Sequence, residues 1–192
     1  VLAKMHKANA AVEGLELISA DQLAQLSSAL PARATIEIIE TERAGPTDIA
    51  IESRGLFAVA AIPIKDAHGH SYATMVGGAL LNRNENFVDY IARATSAAGL
   101  MPVSAPSAAT IFLGDVRIST SVRLSNGERA TGTRVSNEVR EAVLERGGRW
   151  AGGAGRCCAM AWRDLKRSRR SQEDKLAGLL LGLGVLGLLL GT

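Results

Sequence analysis

Four residues near the middle of the chain have the types needed to hold a small anion. Arg117, Ser119 and Ser121 alternate with apolar neighbours, and Arg134 follows after a turn. An arginine grips a carboxylate through two parallel N–H donors, and a serine hydroxyl donates or accepts beside it. The pattern predicts a ligand site made of Arg117, Ser119, Ser121 and Arg134. The competing reading leaves both arginines solvated on an outer sheet face, the usual place for arginine. Asp115 suits a turn better than an amine-binding role.

Other reactive residues lack partners at useful spacing. His68 and His70 lie in Asp66-Ala67-His68-Gly69-His70, a turn sequence. Two histidines invite a metal, but no third ligand is in view, so they read as exposed turn residues. Cys157 and Cys158 are adjacent. Vicinal cysteines are too close for a relaxed disulfide, and no Cys-x-x-Cys spacing or histidine cluster accompanies them. No nucleophile elbow, phosphate loop, metalloprotease motif, phosphoacceptor region or ATP-binding domain is visible. The chain is read as non-catalytic and without a cofactor.

The elements that must position the candidate site are legible around it. From Val116 to Leu124, Val116, Ile118, Val122 and Leu124 alternate with Arg117, Ser119, Ser121 and Arg123. A period of two predicts a half-buried strand, with the arginines and serines on one face. Gly114-Asp115 precedes it. Asn126-Gly127 follows and predicts a hairpin turn into a return strand over Arg129–Val135. Ser136 is placed to cap a helix carrying Val139, Ala142 and Val143, which Gly147-Gly148 ends.

Upstream, Val1–Val12 reads as the end of a helix or as a frayed terminus. Ser19 with Gln22 forms a capping box, Leu23, Leu26 and Leu30 follow at helical spacing, and Pro31 is expected to stop the helix. Ala34–Ile39 reads as a short strand, Glu42–Thr47 as a loop, and Asp48–Glu52 alternates. Phe57–Ile64 is almost wholly apolar and predicts a central buried strand. Ser71–Leu81 is its partner, with Gly77-Gly78 suggesting a bulge or a close backbone approach. Asn82 and Glu85 make a second capping-box pattern before a helix bearing Phe87, Val88, Ile91 and Ala94. Leu100–Ser107, with two prolines, reads as a linker.

ATIFLGDVRISTSV (109–122), GTRVSNEVREAVLERG (132–147) and Trp150 resemble the Cache-type extracytoplasmic sensor domains of bacterial membrane receptors. VGGALLNRNENFVDYI (76–91) is similar to the same family. The likeness runs over Leu15–Trp150 and is strongest to the double-Cache type of sensor histidine kinases, chemotaxis receptors and diguanylate cyclases. It implies an α+β, PAS-like fold of antiparallel sheets with flanking helices. It also implies a small-molecule ligand, often a carboxylate or amino acid, and a homodimer built on a long helix. On this reading 1–101 is a membrane-distal lobe with its connecting helix and 102–150 a membrane-proximal lobe. Hairpin then helix occurs twice, Phe57–Ala98 and Ala109–Arg146, in keeping with two related lobes.

Past Trp150 the alternation stops. Further strands are expected there, but 151–175 reads as an irregular basic linker, and its composition suggests a deletion or frame-shifted junction. Six Lys/Arg and three acids crowd Arg163–Lys175. The rest of the chain is near neutral, which argues against nucleic acid as partner. Leu176–Leu190 is uncharged and apolar, and 176–192 reads as a transmembrane helix cut short of the ~20 residues a span needs. Its basic flank would favour the cytoplasm, whereas a Cache sensor needs that flank outside. The sequence thus predicts a sensing region, truncated at both ends and lacking its output domain, at the inner membrane with the sensor periplasmic or extracellular. The alternative is a membrane-anchored adaptor whose sheet binds a partner. A saturable small-molecule pocket separates the two.

Overall fold

Leu23 is fully buried, and the first compact unit is built around it. The computed structural model describes residues 9–97, 107–152 and 157–160. Two compact units divide the chain, Val1–Glu37 with Ile51–Asn84, and Ile38–Ala50 with Glu85–Thr192. The fold is a mixture of antiparallel sheets and short helices, as the sequence predicts. The first eight residues of the predicted helix end, the linker up to residue 106, and the basic and apolar runs beyond 160 lie outside the described residues.

In the first unit, β1 (Val12–Ile18), β4 (Gly55–Lys65) and β5 (Ser71–Leu80) form an antiparallel sheet in the order β1-β4-β5. Val12 therefore opens a strand, where the sequence placed a helix end. The reason is tertiary: its partner β4 supplies a seven-residue ladder from Val12↔Ala61 to Ile18↔Gly55. Helix α1 (Ala20–Leu26) starts at the predicted capping box. Ser19 accepts from the Gln22 amide, and the Gln22 side chain accepts from the Ser19 amide. Such a cap contributes about 1 kcal/mol. Pro31 does not end that helix. It sits in the first turn of a second one, α2 (Leu30–Ala34), where its missing N–H costs no bond.

Leu23, Ala34, Phe57 and Leu80 make the core of this unit, flanked by Ile18, Leu30 and Val59. Gly55 lets α1 approach β4: a Cβ there would meet Leu23 and Phe57 side-chain atoms at 3.0 Å. β4 is central, as predicted, but not buried throughout, for Ile62 is 50% exposed. The register is regular across Gly77-Gly78 and shifts instead at Ile64/Lys65. Nor is there a close approach: a Cβ at Gly78 would make ordinary contact, 3.4 Å from the Ala58 carbonyl oxygen, and one at Gly77 would meet nothing within 4 Å. β2 (Ile36–Glu37) and β3 (Ile51–Glu52) pair antiparallel.

Asn82 has a different role from the predicted helix cap. It is buried; its Nδ2 donates to the Ala34 and Arg54 carbonyls at 2.7 and 2.9 Å, and its Oδ1 accepts from the Leu56 amide at 2.9 Å. One side chain thus satisfies three backbone groups where α2 and β4 meet.

In the second unit, α3 (Glu85–Ala97) buries Val88, Ile91 and Ala92 and packs against β7 (Val116–Thr120). β6 (Thr110–Leu113) pairs with β7 through a tight turn at Gly114-Asp115. Asn126-Gly127 turns the chain as predicted: the Gly127 amide donates to Leu124 O, and Arg123 and Arg129 bridge behind it. The return segment, however, is bridged rather than a continuous strand. Ser136 caps α4 (Asn137–Arg140), which passes into a π-helical turn over Glu141–Glu145. Beyond it, β8 (Arg149–Gly152) pairs antiparallel with β9 (Cys157–Met160), Trp150 opposite Ala159. The strand pattern therefore continues past Trp150. The stretch is rich in Gly, Ala and Cys, so backbone pairing there leaves no polar–apolar alternation to read.

Candidate ligand-binding site

The hairpin carrying the predicted site contains a bulge. Thr110 lies opposite Thr120 and Ile111 opposite Ser119, but Phe112 then faces Arg117 and Leu113 faces Val116. Ile118 is the extra residue. Facing residues share a side of a sheet and neighbours alternate, so one inserted residue exchanges sides for everything beyond it. Arg117 goes with Phe112, while Ser119 goes with Ile111. The shared face expected for Arg117, Ser119 and Ser121 is corrected accordingly. Two contacts agree with this assignment. The Arg117 Cζ lies 5.3 Å from the Phe112 ring centroid, and the Thr110 and Thr120 hydroxyls are 2.6 Å apart.

The other side of β7 also bulges at Arg117. The Gly132 amide donates to Arg117 O at 2.8 Å, and the Arg117 amide donates to Thr133 O at 2.9 Å. Gly132 has φ 89°, the left-handed conformation of a glycine bulge. Thr133 is thereby placed to accept from Arg117 Nη1 at 2.8 Å, and its hydroxyl donates to Ala130 O at 2.7 Å. Arg117 is half-buried, with its guanidinium fixed by Thr133 and Phe112. A cation over an aromatic face gains about 0.5–2 kcal/mol. The group remains a planar donor suited to a carboxylate.

The other three predicted residues stand elsewhere. Ser119 is fully buried, and its Oγ has no hydrogen-bond partner among the described residues. Ser121 closes the open end of the hairpin: its Oγ accepts from the Ala109 amide and its own amide donates to Ala109 O, both at 2.9 Å. Arg134 bridges Val116 and so lies across the sheet from Arg117. Its Nε and Nη2 donate to Asp115 Oδ2 at 3.0 and 2.6 Å, and its Nη1 donates to the Gly45 carbonyl. Its amide donates to Thr41 Oγ1 at 3.0 Å. With a side chain 8% exposed, Arg134 fastens the 38–50 segment to the hairpin. Asp115 is thus an ion-pair partner in addition to a turn residue.

Sequence reasoning missed Phe112, Thr133 and Gly132 as the surroundings of Arg117. Thr131-Gly132-Thr133 was the available signal for a glycine bulge. A second ionic group ties α3 to this unit. Asp89 accepts from Arg129 Nη1 and Nη2 at 2.6 and 2.7 Å, Arg129 Nε lies 3.2 Å from Glu85, and Arg129 Nη1 also donates to Thr120 O. The hydrogen bonds from Arg129 hold the Asp89 carboxyl below its usual range, and Asp89 in turn raises Arg129. At the β4–β5 turn, Asp66 Oδ1 accepts from the His68 and His70 amides at 2.9 Å. No group of three His, Cys, Asp or Glu residues stands ready for a metal among the described residues.

Residues 79–162 match the family model for single Cache domain 3. The match spans less than half of the chain and contains α3, the β6–β7 hairpin, the capped helix and the β8–β9 pair. It extends twelve residues beyond Trp150, where the resemblance read from the sequence stops. Cache domains are small-ligand-sensing modules of signalling receptors and are typically extracytoplasmic. No curated protein and no solved structure matches the chain. No helix of the described residues is long and apolar enough to cross a membrane.

Proposed function

We propose that this chain is the extracytoplasmic, non-catalytic sensing region of a bacterial transmembrane receptor, and that Arg117 receives the carboxylate of a small ligand. The observation that carries the reading is the Cache match across the very hairpin in which two bulges, Phe112 and Thr133 orient that guanidinium. The receptor would belong with sensor histidine kinases or chemotaxis receptors, anchored through Leu176–Leu190. The family match is to a single Cache domain, and the double-Cache form rests on the repeated succession of hairpin and helix alone. Signalling would be a population shift. A ligand that binds one arrangement of the hairpin better than another favours it, and the displacement passes along a helix to the membrane.

The test is a thermal shift of the full chain against a panel of small carboxylates, amino acids and amines. A ligand that binds only the folded state raises the melting temperature. A carboxylate is expected to do so for the wild type and not for Arg117→Ala. A shift that survives in Arg117→Ala would reject the site. A cooperative melt unmoved by the whole panel would reject the sensing role for those ligand classes.

A further inference from the structure

Arg93 is a cation whose nearest partner is already taken. It stands one turn after Asp89 on α3, the spacing at which an exposed arginine pairs with an aspartate. Both Asp89 oxygens are instead held by Arg129, at 2.6 and 2.7 Å. Among the described residues the exposed Arg93 side chain has no hydrogen bond or ion pair. Ser96 follows three residues later on the same side of the helix, and its hydroxyl also has no partner there.

Arg93 and Ser96 line an open concavity of about 520 Å³ with Ala92, Ala97 and Ser107. The two alanines leave room beside the arginine. Ser107 lies in the segment that leads into β6, and its Oγ is buried without a hydrogen-bond partner among the described residues. Folded chains keep few such buried, unpaired hydroxyls. This one lines a concavity beside an unpaired arginine, and rotation about χ1 turns it toward whatever the arginine holds. The carbonyl end of α3, which would repel an anion, is partly occupied. Thr95 Oγ1 lies 3.0 Å from both the Ile91 and Ala92 carbonyl oxygens.

We infer that this concavity is a second anion site, sharing no residue with the surroundings of Arg117, and that it takes a small soluble molecule bearing a phosphate or sulfate group. Arg93 supplies two parallel N–H donors, and Ser96 and Ser107 one hydroxyl each. A carboxylate has two oxygens, which the guanidinium fork alone satisfies. A tetrahedral oxyanion offers a third, and the two hydroxyls meet it.

The test is calorimetric titration of the full chain, in mild detergent, with inorganic phosphate and with sulfate at constant chloride. Both are expected to bind the wild type. Arg93→Ala is expected to weaken phosphate about tenfold or more, and Ser107→Ala about threefold. Arg117→Ala is expected to leave phosphate affinity unchanged, so failure at one arginine is told from failure at the other. Neither Arg93→Ala nor Ser107→Ala removes a polar contact within the fold, so both are expected to melt no lower than the wild type. Ser107→Ala is expected to melt slightly higher, because it deletes an unpaired buried hydroxyl. A wild type that takes up neither anion would overturn the inference. So would a phosphate affinity that survives Arg93→Ala or that depends on Arg117. A Ser107→Ala variant that binds phosphate as the wild type does would leave only a bare surface arginine, and that too would overturn it.

Discussion

Arg129 grips Asp89 with two N–H donors, at 2.6 and 2.7 Å, and so pins α3 to the turn that follows β7. The Arg129 side chain is 15% exposed and that of Asp89 28%, so the pair is partly solvated. Asp89→Asn is expected to lower stability by about 1 kcal/mol near pH 7, the upper range for such pairs. Because folding lowers the Asp89 pKa, its contribution is complete above the unfolded value of about 3.9 and is lost as pH falls through the folded one. Melting curves of both proteins from about pH 7 down to about pH 2.5 check this. The gap should be full at the upper end and close well below pH 4. A gap unchanged at every pH would show that the charge is not what stabilises.

Asn82 is the polar residue on which the first unit depends most. Its side chain serves Ala34, Arg54 and Leu56 at once and is buried. Asn82→Ala leaves those backbone groups without partners, at about 1–3 kcal/mol for a buried unsatisfied group. A loss of 2 kcal/mol or more is expected in urea unfolding, by about the same mechanism. Asn82→Asp should be nearly as costly, because a carboxylate cannot donate to the Ala34 and Arg54 carbonyls. A neutral Asn82→Ala would mean that solvent reaches all three groups.

Local features of this fold were legible because the partners lie a few residues apart. Ser19 with Gln22, Ser136 with Val139, and the Asn126-Gly127 turn satisfy backbone groups within their own neighbourhood. The features that escaped depend on distant strands. Nothing in Val116–Leu124 shows that β6 omits a partner for Ile118, so the strict alternation gave the wrong face for Arg117. Asn82 looked like a cap because Asn and Glu three apart fit one. Its real partners, 26 to 48 residues earlier, are fixed only by packing. Arg117 was singled out by residue type, but its aromatic and hydroxyl neighbours came from the bulges.

Gly132 holds one of those bulges with φ 89°. A Cβ in that conformation is strained by roughly 1–2 kcal/mol. Gly132→Ala is expected to destabilise by about that much and to disturb the Arg117–Thr133 contact. Stability is read by denaturant unfolding. The contact is read by the carboxylate thermal shift, which should weaken more than in Gly69→Ala, in the β4–β5 turn of the other unit. Equal ligand responses would separate the bulge from the site.

Arg134 and Asp115 give the sharpest test of what the second arginine does. The pair is close, at 2.6 Å, and the arginine side chain is almost wholly enclosed. Removing one partner of a buried ion pair strands the other charge and costs about 3–5 kcal/mol, whereas replacing both is far cheaper. Asp115→Ala and Arg134→Met are each expected to approach that loss, tempered for Arg134 because its Nη1 also donates to Gly45. The double variant should be less destabilised than the sum of the two, by about 1–3 kcal/mol of coupling. Strict additivity would show that the pair carries no mutual stabilisation. A ligand that raised the melting temperature of the wild type but not of the folded double variant would return Arg134 to the binding site, and an unchanged response would leave Arg117 as the arginine that reads the carboxylate.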